Sequence, residues 1–257
     1  MLVLSLFPGI GLLDLAFEQE GFCVVRGPDP LWGGDIRTFH PPAGRFDGVI
    51  GGPPCQAFSR LTRLVRHNAR REPEKYKIAE NLIPEFNRCI DEAQPNWFLM
   101  ENVPDVPVEN WPAPAGYGVS PLLLNNRWLP GATAQNRDRR FWFGLRGAIA
   151  ELSHYIEVSL FEPIEWQPAV VASKPIARPV RLNGGGKPKG GPRWTGGGFS
   201  TRRVGESLIL QGLDPNFFEK SPLTVKGQQR AIGEGVPLPM GRAIARAVRE
   251  ALAVEGL

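Results

Sequence analysis

Apolar and polar positions along the chain switch repeatedly between strand-like runs and helical stripes. Residues 2–7 are an apolar run that ends in Pro8-Gly9-Ile10-Gly11, which predicts a buried strand entering a sharp turn. Residues 12–20 take up helical spacing, and Gly21 offers a stop. Short strands are predicted over 22–26 and 46–50, the latter running into Gly51-Gly52-Pro53-Pro54. Between 78 and 93, apolar residues at 79, 82, 83, 86, 90 and 93 form a helical stripe in which Pro84 fits only the first turn. Gln94-Pro95 breaks that helix, and residues 97–100 predict a strand delivering Glu101. Residues 103–118 read as irregular surface, and two further strands, 122–124 and 140–143, bracket 135–139. Ile244, Val248, Ala251 and Leu252 predict an amphipathic closing helix that packs on the first domain. This alternation predicts an α/β fold with a mostly parallel sheet and helices on both faces.

Composition narrows the class without naming a chemistry. A chain of 257 residues with 42% hydrophobic and 22% charged content can bury a full core, as one α/β domain with a small appendage. Apolar runs stay short of the ~18 residues a membrane span needs, and the opening lacks a signal-peptide pattern, so an intracellular, cytoplasmic protein is expected. Three cysteines, Cys23, Cys55 and Cys89, do not suggest a disulfide framework. His40, His67 and His154 stand alone, and no metal site is expected. The net charge of +4 is uneven: residues 166–205 hold eight Lys or Arg and no acid. Such a segment suits a polyanion, though a solvated basic loop would look the same. Residues 184–198 are dominated by glycine and carry Lys187, Lys189, Arg193 and Trp194, which predicts a mobile loop.

Two local patterns carry chemistry. The strand–glycine–helix corner at 2–20 suits close approach of backbone amides to a ligand. An acid near the end of the second strand, Asp29, suits a ribose diol, because a carboxylate accepts two hydroxyl hydrogens; a turn or cap residue would serve equally in Pro28-Asp29-Pro30. The stiff turn at 51–54 presents the thiol of Cys55, with Arg60, Arg63 and Arg66 following and no acid before Glu72. That setting favours a thiolate nucleophile, and a buried turn with an inert cysteine is its plain alternative. Glu101 ends a buried apolar strand, where a carboxylate without a partner would be costly.

The ordered motifs together resemble the C5-cytosine DNA methyltransferases. Leu6 to Phe17 looks like that family's cofactor loop, 51–59 (GGPPCQAFS) its catalytic loop, Glu101-Asn102-Val103 its ENV motif, and Gln135 to Arg139 its QxRxR motif. Residues 202–213 and 231–248 resemble its last two motifs. The resemblance implies a Rossmann-like S-adenosylmethionine-dependent methyltransferase fold with a reduced target-recognition insert. It divides the chain into a catalytic and cofactor-binding domain (1–165), a small basic target-recognition segment (166–201) and C-terminal motifs that return to the first domain (202–257).

The family implies roles residue by residue. Cys55 is the nucleophile, Glu101 holds a proton to cytosine N3, and Arg139, supported by Arg137, holds the O2 edge. For the cofactor it implies Phe7 stacked on adenine, Gly9, Ile10 and Gly11 in the loop, Asp29 at the ribose and Asp35 with Ile36 facing the adenine amino group. Pro54, Leu82, Glu234 and Gly235 complete that set. Gln56, Ser59, Arg60, Arg63, Gln135, Lys187, Lys189, Arg193, Arg202 and Arg203 are the residues expected on DNA. Leu12 departs from the family's glycine, and Glu234 from its asparagine. The latter raises decarboxylated S-adenosylmethionine as an alternative donor, with pairing of Glu234 to Arg230 as the simpler outcome. Double-stranded DNA is the expected partner, read at a short or relaxed target, with a monomer as one option for the assembly. The same chemistry on RNA lacks the Cys-Phe-Thr signature of the tRNA-methylating branch, and a decayed DNA-binding relative would not keep Cys55, Glu101, Gln135, Arg137 and Arg139.

Overall fold

The computed structural model describes residues 1–54, 80–106, 113–159, 167–169 and 204–257. Cys55, Gln56, Ser59, Arg60, Arg63, Lys187, Lys189, Arg193, Arg202 and Arg203, all singled out above, lie outside the described residues.

A six-stranded sheet organises the molecule. Its strands are β1 (Leu2–Leu6), β2 (Cys23–Arg26), β3 (Gly48–Gly51), β4 (Trp97–Asn102), β5 (Tyr117–Asn125) and β7 (Asp138–Arg146), in the order β2-β1-β3-β4-β7-β5. The first four run parallel, and β7 runs antiparallel to both of its neighbours, β4 and β5. A separate parallel pair joins β6 (Gln135–Asn136) to β8 (Gln167–Pro168).

The period of two along each strand sorts side chains into two layers. Val3, Ile50, Trp97, Leu99 and Phe143 point to one face, where they meet Phe17 of α1 (Leu12–Gln19) and Ile244 and Val248 of α5 (Leu238–Val254). Leu4, Val49, Phe98, Met100 and Trp142 point to the other, against Phe86 and Ile90 of α2 (Ile83–Ala93). Full burial of each such side chain stabilises the fold by ~1.5–3 kcal/mol. A smaller cluster of Leu12, Ala16, Leu208, Ile232 and Leu238 ties α1 to α3 (Val204–Leu210) and α4 (Val225–Glu234). The C-terminal helix therefore returns to α1 and the sheet. Among the described residues no helix is long and apolar enough to cross a membrane.

Two elements differ from their predicted extents. The helix expected from 78 begins at Ile83, with Pro84 in its first turn and the Asn81 side chain accepting from the Ile83 amide at 3.1 Å. Proline has no amide to donate and its ring crowds the preceding turn, so the stripe cannot continue upstream as helix. Strand β5 reaches back to Tyr117, into the stretch expected to be irregular, because its whole length pairs with β7 from Tyr117–Arg146 to Asn125–Asp138. Pro121 is tolerated because β5 is an edge strand.

Candidate active site

Strand order reverses between β1 and β3, since β2 lies on one side of β1 and β3 and β4 on the other. Crevices at the carboxyl ends of parallel strands open at such a switch point. A cavity of about 440 Å³ lies there, lined by the turn after β1, the turn after β3, the end of β4 and the last turns of α4.

The turn after β1 is strained and cross-braced. Phe7 is buried yet has φ 56°, a left-handed conformation that a bulky residue adopts only when its surroundings impose it. Gly9 (φ 55°) and Gly11 (φ 78°) continue the left-handed path. Asp29 holds Gly9 from outside: one carboxylate oxygen accepts from the Gly9 amide at 2.8 Å, the other from the Leu31 amide at 2.7 Å. The Trp32 indole donates to the Gly9 carbonyl at 2.7 Å. Beneath the turn, buried Asp14 accepts from the Ser5 hydroxyl at 2.5 Å and from Arg26 Nε at 2.9 Å. Burial raises the Asp14 pKa, and the Ser5 and Arg26 contacts oppose that rise. A Cβ on Gly11 would stand 2.5 Å from the Arg26 guanidinium, so glycine is required there for space as well as for φ.

The opposite wall carries an acid and a base. Glu101 is the second-to-last residue of β4 and Arg139 the second of β7, which pairs Glu101 with Phe141, so the two side chains converge across neighbouring strands. Arg139 Nε lies 2.6 Å from Glu101 Oε1, and the side chains are only 11% and 10% exposed. Burial raises the Glu101 pKa, with the Arg139 and Arg137 charges opposing. Gly52 leaves room for that carboxylate, as a Cβ there would lie 2.9 Å from Glu101 Oε2. The next residue on β4, Asn102, is buried and donates to the Pro53 carbonyl at 3.0 Å. It pins the proline turn that leads into Cys55.

Helix α4 closes the third side. Arg230 Nε lies 2.9 Å from Glu234 Oε1, and both side chains are exposed, at 59% and 43%. Gly235, the α4 cap, faces the cavity beside Leu12; a Cβ there would meet the Leu12 side chain at 2.6 Å. The larger residue at 12 is thus matched to the absence of one at 235.

Of the residues expected around the cofactor, Phe7, Gly9, Ile10, Asp29, Pro54, Glu234 and Gly235 line this cavity with Glu101 and Arg139. Gly11, Asp35, Ile36 and Leu82 are not brought to its wall. The Asp35 carboxylate instead caps a short 3-10 turn and pairs with Arg37 at 2.9 Å, which holds its pKa down. Ile36 is buried against α2. Two further residues from the expected set are held by buried partners. Gln135, expected on DNA, is fully buried and donates to the Leu210 carbonyl at 2.7 Å and to Gln211 at 2.8 Å. Arg137, expected to be catalytic, donates to the Gly233 and Gly235 carbonyls at 2.6 and 2.9 Å and is 3% exposed. Helix ends leave carbonyls without helical partners; Gln135 meets one at the end of α3 and Arg137 two at the end of α4.

Trp32, Asn102 and Arg230 were not picked out as site residues in the sequence. Asn102 had a signal, an amide beside Glu101 at the end of a buried strand; Trp32 had none, since its partner is a backbone carbonyl 23 residues away. Cys89 is buried among Phe86 and Ile90, and burial pushes its thiol up to about 11, far from a thiolate nucleophile.

The chain matches the C-5 cytosine-specific DNA methylase family over residues 32–169. It is similar to the type II methyltransferase M.FnuDI of Fusobacterium nucleatum, 33% identical over 172 residues that cover 57% of this chain and 47% of that protein. M.NgoPII of Neisseria gonorrhoeae is 29% identical over 174 residues, 57% of this chain and 48% of that protein. The chain thus spans about half the length of the curated relatives it matches. Its fold is similar to a mutant of Spodoptera frugiperda DNMT2 (TM-score 0.61, 14% identity, 98% of this chain and 99% of that one). The Dnmt2 methyltransferase of S. pombe gives a TM-score of 0.59 at 14% identity, over 100% of this chain and 99% of that one. The family match covers more than half of the 257 residues and includes the Glu101–Arg139 pair, and the chain belongs to the C-5 cytosine-specific DNA methylase family.

Proposed function

We propose that this chain transfers a methyl group from S-adenosylmethionine to C5 of cytosine in double-stranded DNA. One observation carries the proposal: a buried carboxyl–guanidinium pair, Glu101 and Arg139, faces the same cavity as the glycine turn and adjoins the pinned proline turn that leads into Cys55.

Cytosine C5 is a poor nucleophile until a group adds at C6. The Cys55 thiolate attacks C6 and forms a carbon–sulfur bond, while the ring electrons displaced toward N3 are met by the Glu101 proton. Burial raises the Glu101 pKa, the direction that favours the protonated form this role calls for. Arg139 holds Glu101 in place and offers a donor toward the O2 edge of the base. S-adenosylmethionine, when bound, supplies a methyl group activated by its sulfonium. Loss of the C5 proton to a base then drives the carbon–sulfur bond open and returns Cys55. Duplex stacking hides C5 and C6, so the base swings out at a cost of a few kcal/mol.

The residues present fit the cofactor. Each Asp29 oxygen spends one acceptor position on a backbone amide and keeps another for a ribose hydroxyl. Phe7 supplies an aromatic face, and the left-handed Gly9–Gly11 turn lets backbone come close. Arg230 offsets the charge of Glu234, which favours unaltered S-adenosylmethionine over a decarboxylated donor.

Mass spectrometry of nucleosides from duplex DNA incubated with protein and S-adenosylmethionine tests the proposal. 5-Methyl-deoxycytidine is expected from the wild type and none from Cys55→Ser. A duplex carrying 5-fluorocytosine should trap a denaturation-resistant adduct, because fluorine blocks the final elimination. Absence of the methylated nucleoside, or an adduct that survives Cys55→Ser, overturns it.

A further inference from the structure

Gln211 stands immediately after α3, is fully buried, and uses its whole side chain. Its oxygen accepts from Gln135 Nε2 at 2.8 Å. Its nitrogen donates to the Ile232 and Gly235 carbonyls at 2.6 and 3.1 Å. The Gly235 carbonyl is shared with Arg137, which also takes the Gly233 carbonyl. One glutamine and one arginine therefore tie the last carbonyls of α4 to the segment Gln135–Arg137.

The two ends of this tie lie at different parts of the site. Gln135 and Arg137 come just before Arg139, the partner of Glu101, so they set the start of β7 on the base-reacting side. Ala231, Glu234 and Gly235 form the cavity wall on the cofactor side. The linking bonds are buried, so water cannot replace them if one end moves. A displacement of Gln135–Arg137 must carry the end of α4 with it, or break the Gln211 and Arg137 bonds.

We propose that Gln211 is a positioning residue that couples engagement of the target base at Glu101–Arg139 to the fit of the cofactor against α4. This rests on the methyltransferase reading above. Coupling between two ligands is reciprocal and is measured as the change that one causes in the other's affinity.

The probe is S-adenosylhomocysteine, titrated by calorimetry with and without a duplex that the wild type methylates. Duplex should tighten its binding to the wild type by about 5-fold or more. In Gln211→Leu and in the isosteric Gln211→Glu, both with melting curves showing a folded protein, that factor should drop below about 2, while affinity without DNA stays within about 3-fold of wild type. Gln135→Met cuts the tie from its other end and should lose the same factor, with no further loss in the double variant with Gln211→Leu. Retained coupling in the variants, no coupling in the wild type, or an equal loss of affinity with and without DNA overturns the inference. A wild type that binds neither probe nor duplex overturns the methyltransferase reading itself.

Discussion

Two arginine–glutamate pairs face the same cavity, and nearly the same distance separates their partners. Arg139–Glu101 closes at 2.6 Å and Arg230–Glu234 at 2.9 Å. Their surroundings differ. The first is about one-tenth exposed and sits at the meeting of β4 and β7; the second is about half exposed on one face of α4. Water screens the exposed pair, so it shapes the local charge without holding much energy. Burial makes the other pair costly to split and raises the carboxyl pKa despite the nearby arginines. Distance alone would have ranked them as equals.

The largest expected effect is on turnover. Glu101→Gln keeps the shape and removes the proton, and should lower the methylation rate by about 10²–10⁴-fold in a single-turnover assay, with DNA binding kept. Replacing Glu234 with Gln should change the same rate by only a few-fold. A comparable loss at both positions would erase the distinction.

Arg139→Ala leaves the buried Glu101 carboxyl group without its partner. Denaturant unfolding at neutral pH should show a loss of about 3–5 kcal/mol. Gly52→Ala brings a methyl to 2.9 Å from Glu101 Oε2 and should cost about 1–3 kcal/mol in the same measurement, together with part of the turnover.

The pH dependence follows from the direction of the Glu101 shift. The folded pKa lies above the unfolded value of about 4.3, so the native state takes up this proton first as pH falls. Stability from this group is fully present below the unfolded pKa and is lost as pH rises through the folded one. Melting curves of wild type and Glu101→Gln should therefore diverge in favour of the wild type between the raised value and pH ~4, by up to ~1.4 kcal/mol per pH unit. The smallest effect is expected at the exposed pair: Glu234→Gln should change stability by less than ~1 kcal/mol, and less still in high salt.

The chain itself determined the period-two strands, the helical stripes, the glycine corner and the acid at the end of β4, because each rests on local spacing and on backbone freedom within a few residues. Gly9, Asp29 and Glu101 were legible for that reason and Phe7 through the family resemblance, and the cavity wall includes all four. Tertiary structure decided the partners. The full length of β5 came from pairing with β7, whereas Asp35 found a local partner in Arg37, two residues on. Gln135 and Arg137 turned inward to partners far along the chain: Gln135 to Leu210 and Gln211 after α3, and Arg137 to the carbonyls at the end of α4, almost a hundred residues later. Burial decided the rest: it sets Glu101–Arg139 apart from Arg230–Glu234, since desolvation depends on everything packed around a charge and not on its neighbours in sequence.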